Sequence, residues 1–310
     1  ELASLELAIM DLDASTDIDN APVGTGPFII KSFQPEGTVE VVRNENYWGG
    51  EVKLDGAIFY YMQEDEPKLM AMQNGEIDAY TSVTAAAREI FKADPDTYQL
   101  TEIPATRLQF YILNEETMDD AVRAAVNLTV DCEAIAAYLG GTVSPAVGPF
   151  STATAYGKVT KPAPDVEKAK ALLEQDGYTL NAAGLFEKDG QPLTLTVAYY
   201  AARSLDSIAV LMQEQLKSVG ITVTFNCQED PDATYIANRD FDIALYCMIA
   251  DINGDPYYFI DRTLRDGGYF DVGGFDNAEC QQLVEQLQRE TDTAVRADLA
   301  NKIVQIAIDD

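Results

Sequence analysis

The stretch from Leu193 to Asn226 limits what this 310-residue chain can fold into more than any other segment. LTLTVAYY (Leu193 to Tyr200) is rich in β-branched and aromatic side chains and reads as a strand. From about Leu205 to Val219 the apolar stripe of Ile208, Leu211, Met212 and Leu216 recurs at helical spacing. Gly220 ends that helix, and ITVTFN (Ile221 to Asn226) is a returning strand. A strand, a helix and a strand joined this tightly imply a right-handed crossover with the strands parallel. The sequence thus predicts an α/β architecture, with helices covering both faces of the sheet.

The other segments fit that frame. Residues 39–43, 57–63, 98–103 and 108–113 are expected strands, and helices are expected at about 66–74 and 84–92. Asp65 is placed as the cap of the first helix and Gly75 as its stop, with Leu69, Met70 and Met72 packed inward. LQFYILN (Leu108 to Asn114) is nearly all apolar, which predicts a strand buried on both faces. Helices follow at 119–127 and 131–139, then a long loop at 140–164, a kind of segment that is often functional. Asp165 is the expected cap of a helix that buries Ala169, Leu172 and Leu173. A short helix at 231–238, a buried strand FDIALYCMI (Phe241 to Ile249) and helices at 277–290 and 293–308 complete the order.

Charge and composition exclude several functions. The formal net charge is −31, from 21 basic and 52 acidic side chains, so the chain repels nucleic acid. Such a charge gives a well-solvated surface and attracts cations without defining a site. Histidine is absent, which removes Ser-His-Asp and Cys-His catalysis and every histidine metal site. Cys132, Cys227, Cys247 and Cys280 are widely spaced, with no CxxC; two disulfides or four free thiols both fit. No apolar run reaches membrane-spanning length. The start Glu1-Leu2-Ala3 is not a signal peptide, so an export signal or lipid anchor is expected outside this sequence.

Two blocks near the start carry a more specific signal. GTGPF (Gly24 to Phe28) is a rigid turn, and RNENYWGG (Arg43 to Gly50) ends a strand in a turn that holds Tyr47 and Trp48. Together they resemble the family 5 extracellular solute-binding proteins, the peptide and nickel receptors of bacterial ABC importers. LDGAIFYYM, DEPKLMAMQNGEIDAY, AVRAAVNLTVDCEAI, DVEKAKALLEQDGYT, GDPYYF and GGFDN follow in that family's order. The resemblance implies a periplasmic-binding-protein-like fold (type II, cluster C). It implies a complete lobe II at 108–310 and a partial lobe I at 1–107, because the family carries further segments before GTGPF and after the last helix. With part of the cleft wall in those segments, these residues alone are expected to bind ligand weakly.

Ligands of open α/β sheets sit at the carboxyl ends of the strands. One such end has Arg203 after Tyr199-Tyr200, and another has Asp251 before INGDPYYF. In peptide receptors that the chain resembles, Asp251 matches the aspartate that takes the peptide ammonium, with Asp255 as second choice. Arg203 matches the basic residue that takes the carboxylate. Tyr200 is placed beside it, and Met248 stands where such receptors often carry tryptophan. On the residues alone, Arg203 reads as a solvated helix-entry residue and Asp251 as a turn aspartate; the resemblance is what brings the binding reading level with these. Tyr257, Tyr258 and Phe259 read as a helix-start core, and Trp48 as packed against lobe I. Asn127 to Thr129 is formally a glycosylation triplet at a helix end, without expected significance.

The resemblance implies a receptor that does no chemistry and needs no cofactor. It would bind short peptides in an interlobe cleft and hand them to membrane permease subunits, as an extracellular or periplasmic monomeric lipoprotein. A nickel or nickel-chelate ligand is the alternative, held through carboxylates or a carried chelator because histidine is absent. An enzyme hydrolysing glycosides through a carboxylate pair belongs to another class, but no spacing singles out one pair. A surface adhesion or signalling module on the same fold is a third class.

Overall fold

The computed structural model describes residues 8–103 and 105–310. The chain forms two compact units, one ending at Thr101 and the other running from Glu102 to Asp310, ahead of the 107/108 boundary read from the sequence.

In the first unit β1 (Phe28–Phe33), β2 (Thr38–Arg43) and β3 (Gly56–Tyr60) form an antiparallel meander in that order. The GTGPF and RNENYWGG blocks lie together. Asn44 donates its side-chain amide to the Gly26 carbonyl at 3.0 Å, and the Trp48 indole N–H donates to the Thr25 carbonyl at 3.1 Å. The Trp48 ring is 81% exposed, so the indole is tethered by its polar end and does not pack as expected.

Helices α1 (Asp65–Gln73) and α2 (Ala85–Lys92) follow. Three sequence expectations fail in this unit. Asp65 is the first helical residue, with its carboxylate 3.0 Å from Lys68 Nζ, and is not the cap. Met70 is 60% exposed, whereas Leu69 and Met72 are half-buried beside the buried Ala71, so Met70 alone departs from the expected inward face. Residues 98–103 form no strand. The Tyr98 N–H folds back onto the Asp94 carbonyl, and its ring packs 4.8 Å from that of the buried Phe91.

The second unit begins with β4 (Arg107–Leu113), α3 (Asp120–Thr129) and α4 (Cys132–Tyr138). A long segment leads to α5 (Val166–Gln175) and the short strands β5 (Thr179–Leu180), β6 (Phe186–Lys188) and β7 (Gln191–Pro192). Then come β8 (Thr194–Tyr199), α6 (Leu205–Val219) and β9 (Thr222–Cys227). A π-helical turn at Asp232–Ile236 precedes β10 (Ile243–Ile249), α7 (Tyr257–Thr263), α8 (Ala278–Arg289) and α9 (Thr293–Asp309).

Four strands make the main sheet in the order β4-β10-β8-β9. β8 and β9 are parallel across α6, as the sequence predicts, and β10 is parallel to β8. β4 pairs antiparallel with β10 at the sheet edge, which is why it is only half-buried rather than covered on both faces. Strand alternation splits the apolar side chains between two cores. Val197, Ile243 and Leu245 face Val126, Leu173, Met212 and Leu216. Ala198, Ala244 and Met248 face Phe259, Ile260, Leu287 and Ile303. Each fully buried Leu or Ile contributes roughly 1.5–3 kcal/mol.

Helix starts use part of the acidity. The carboxylates of Asp119, Asp131, Asp165 and Asp292 accept backbone N–H groups of α3, α4, α5 and α9. Such a cap is worth about 1 kcal/mol. Gly220 takes φ 105° at the end of α6, where a Cβ would stand 2.7 Å from the Gly184 carbonyl oxygen.

Candidate functional site

Because β8 and β10 are parallel, their carboxyl ends open on the same edge of the sheet. Beyond β8 the chain turns sharply at Arg203 and Ser204, both left-handed at φ 57° and 61°, before the buried Leu205 starts α6. Non-glycine residues held there store strain and cluster at functional turns. The turn is braced from β4, where the Gln109 amide donates to the Arg203 carbonyl at 3.3 Å.

Beyond β10, Ala250 is fully buried and Asp251 half-buried. The Tyr156 hydroxyl donates to Asp251 Oδ2 at 2.5 Å, and the Gly254 N–H donates to Oδ1 at 2.9 Å. Thr106 Oγ1 donates to the Asp251 carbonyl at 3.1 Å. Burial first, and then the bond to Asp251, push the Tyr156 phenol well above its ordinary range, so it stays a donor. Tyr156 is held there by the segment 140–164. That segment is pinned to α9 through Lys158 N–H to Asn301 at 2.8 Å and Thr160 N–H to Gln305 at 2.9 Å.

Tyr200 directly follows β8. Its ring is 5.8 Å from that of Tyr246, and it lines an open groove of about 540 Å³ with Ala201, Ala202, Cys227, Gln228 and Glu229. Burial raises its phenol, as does the Cys247 thiol, while the positive charges of Arg203 and Arg107 lower it. The structure therefore brings Arg203, Tyr200 and Asp251 to one edge.

Asp255 and Met248 are placed differently. Both carboxylate oxygens of Asp255 accept from Arg296 Nη2, at 2.8 and 2.7 Å, and Oδ1 also accepts the Tyr257 N–H. Met248 is 7% exposed and packs in the core around Phe259. Asn127 accepts the Tyr111 hydroxyl at 2.7 Å within α3, beside the buried Thr129. Sequence reasoning missed Tyr156 and Arg107. The signal for Tyr156 was its place in a long loop, and only the antiparallel pairing of β4 with β10 puts Arg107 at this edge.

All four cysteines are free thiols. No described group of three or more Cys, Asp or Glu is arranged to hold a metal ion. Among the described residues no helix is long and apolar enough to cross a membrane.

Residues 2–271 match the model of the bacterial extracellular solute-binding proteins, family 5 Middle. The chain belongs to this family. Family 5 members are extracellular solute-binding proteins. The nickel-binding protein NikA of Staphylococcus aureus is 27% identical over 314 residues, covering 99% of this chain and 62% of that protein. Di/tripeptide-binding protein 1 of Pseudomonas aeruginosa is 26% identical and covers 92% of this chain and 53% of its own length. The structure of NikA from Brucella suis in complex with Fe(III)-EDTA superposes with a TM-score of 0.80 at 25% identity, covering 92% of this chain and 60% of that one. The chain thus spans about half to two-thirds of the relatives it matches, and the periplasmic-binding-protein-like architecture is confirmed over that span.

Proposed function

We infer that this chain is the ligand-binding part of an ABC-importer receptor for a small zwitterionic solute, with short peptides as the leading class. One observation carries the reading. An anchored carboxylate, Asp251, and a guanidinium without an ion-pair partner among the described residues, Arg203, share one sheet edge with Tyr200. A peptide presents an ammonium and a carboxylate, so one partner of each sign fixes both ends. Asp251 keeps lone pairs beyond those used by Tyr156 and Gly254 N–H. Asp255, closed off by Arg296, offers no comparable group. Delivery to a permease, and surface attachment through a lipid anchor, follow from the family's role.

A second reading rests on the nickel-binding relatives. Without histidine, and without a described metal cluster, nickel would reach this chain as a chelate held through its organic ligands. Mass spectrometry of the solute that co-purifies with the full-length protein, with metal analysis on the same sample, separates the two. A peptide without metal supports the first reading and a nickel-bearing chelate the second. Preparations free of any small solute, and unable to take one up, would refute both.

A further inference from the structure

Lys161 turns to a sulfur in a chain rich in carboxylates. Its Nζ lies 3.6 Å from Cys132 Sγ and 5.9 Å from the centre of the Tyr111 ring. Among the described residues no carboxylate stands within ion-pair distance of it, although the chain carries 52 acidic side chains. Asp131 and Asp165, near these two residues in sequence, accept the first N–H groups of α4 and α5 instead. Sulfur is a weak acceptor, so charge balance does not account for the pairing. The contact is held from three directions. Cys132 opens α4, and Thr160, next to Lys161, exchanges backbone bonds of 2.9 and 3.1 Å with the Gln305 side chain on α9. The Tyr111 ring is fixed by its hydroxyl bond to Asn127 at 2.7 Å. Cys132 and Lys161 are both half-buried, close enough to solvent for a small oxidant. Among the described residues Cys227, Cys247 and Cys280 have no lysine amine within reach.

We propose that Cys132 and Lys161 are an oxidative cross-linking site, in which one oxygen atom joins Sγ to Nζ. The oxidant is a peroxide. One peroxide gives an oxygen to the thiol, which becomes a sulfenic acid, and leaves as water. A second accepts two electrons while Nζ bonds to the sulfenic oxygen. One N–H and the O–H break in that step, and the peroxide leaves as two waters. An inserted oxygen spans more of the 3.6 Å separation than a direct S–N bond does. Burial lowers the Lys161 amine, but the Tyr111 oxygen and the Cys132 sulfur raise it above the ordinary lysine range. The sulfur's share ends once it is a neutral sulfenic acid, and burial then favours the uncharged amine that reacts. Family 5 members are extracellular, where no thiol pool keeps cysteine reduced. The link ties the segment 140–164 to α4, and that segment carries Tyr156, the donor to Asp251. Oxidation therefore stiffens one support of the candidate site, whichever solute is bound there.

The test reduces the full-length protein with dithiothreitol, exposes it to hydrogen peroxide, and reads intact mass, peptide maps and thermal melting. The site expects a species heavier by about 14 Da, one oxygen gained and two hydrogens lost, which dithiothreitol returns to the starting mass. Its peptides holding Cys132 and Lys161 should be joined. It should melt at a higher temperature than the reduced protein, because linking residues 29 positions apart restricts the unfolded chain. Lys161→Arg and Cys132→Ser should each lose the joined peptides and the shift, and melting before peroxide checks that both variants keep the fold. Lys161→Arg retains all four thiols, so a shift that survives in it comes from disulfides and counts against the site. Cys132 recovered as a sulfinic acid or a disulfide with Lys161 free, or a joined pair without the added oxygen, overturns the proposal.

Discussion

The Tyr156 hydroxyl donates to Asp251 Oδ2 at 2.5 Å, joining the long segment before α5 to the turn after β10. The Tyr156 ring stands edge-on to Phe150 at 5.2 Å, so Tyr156→Phe removes the donor and keeps the packing. Bonds to charged groups contribute about 1.5–3 kcal/mol, and partial exposure places this one at the low end. Urea unfolding of Tyr156→Phe should show a loss of about 1 kcal/mol. An unchanged midpoint would mean that the bond adds nothing to the fold.

Asp255 and Asp251 should behave differently when neutralised. Asp255→Asn breaks the contact with Arg296, whose side chain is 16% exposed against 45% for Asp255. A loss of about 1–2 kcal/mol in stability is expected, discounted for the exposed partner. Its effect on ligand should not depend on whether the ligand has a free amino end. A selective loss of amine-bearing ligands in Asp255→Asn would transfer the anchoring role to Asp255.

Stability should decline in alkali. Burial pushes the Cys280 thiol up to about 11 from an ordinary 9.0. Burial, with bonds to Asp119 and Asp261, pushes the Tyr178 and Tyr257 phenols up to about 12 from 10.0. The folded state therefore keeps protons that the unfolded chain releases first. This contribution is intact below the unfolded values and is lost as pH rises toward the folded ones. The urea midpoint should fall steadily above about pH 9, and a flat midpoint up to about pH 11 would contradict the assignment.

Leu216 is fully buried between α6 and the sheet. Leu216→Ala should cost about 2–5 kcal/mol in thermal or urea unfolding, the range for buried leucines in a tightly packed core. A loss below about 1 kcal/mol would show that this core can collapse around the gap.

Local chemistry made the second unit legible. The β8-α6-β9 crossover could be read because its helical stripe and Gly220 are strong local signals, and Asp165 because a cap needs only its next few residues. The failures are positions decided by distant partners. β4 is as apolar as a central strand, yet its half-burial comes from a place at the sheet edge that nothing local states. Residues 98–103 have strand-like composition, but Tyr98 is drawn back onto Phe91. At the candidate site Arg203 and Asp251 were legible because each follows its own strand directly. Tyr156 reaches Asp251 across 95 positions, and Arg107 reaches the same edge only through the pairing of β4 with β10.

The most direct measurement compares free and N-acetylated alanylalanine on the full-length protein and on Asp251→Asn. Asparagine keeps its amide oxygen to accept the Gly254 N–H, its amide NH2 can donate to the Tyr156 hydroxyl in place of the bond that Oδ2 accepts, and it has no charge for an ammonium. Wild type should prefer the free amine, and Asp251→Asn should lose about 2–5 kcal/mol of that binding while changing little for the acetylated form. Equal loss for both forms, or no loss for either, would contradict a receptor that holds its solute at the ends of β8 and β10.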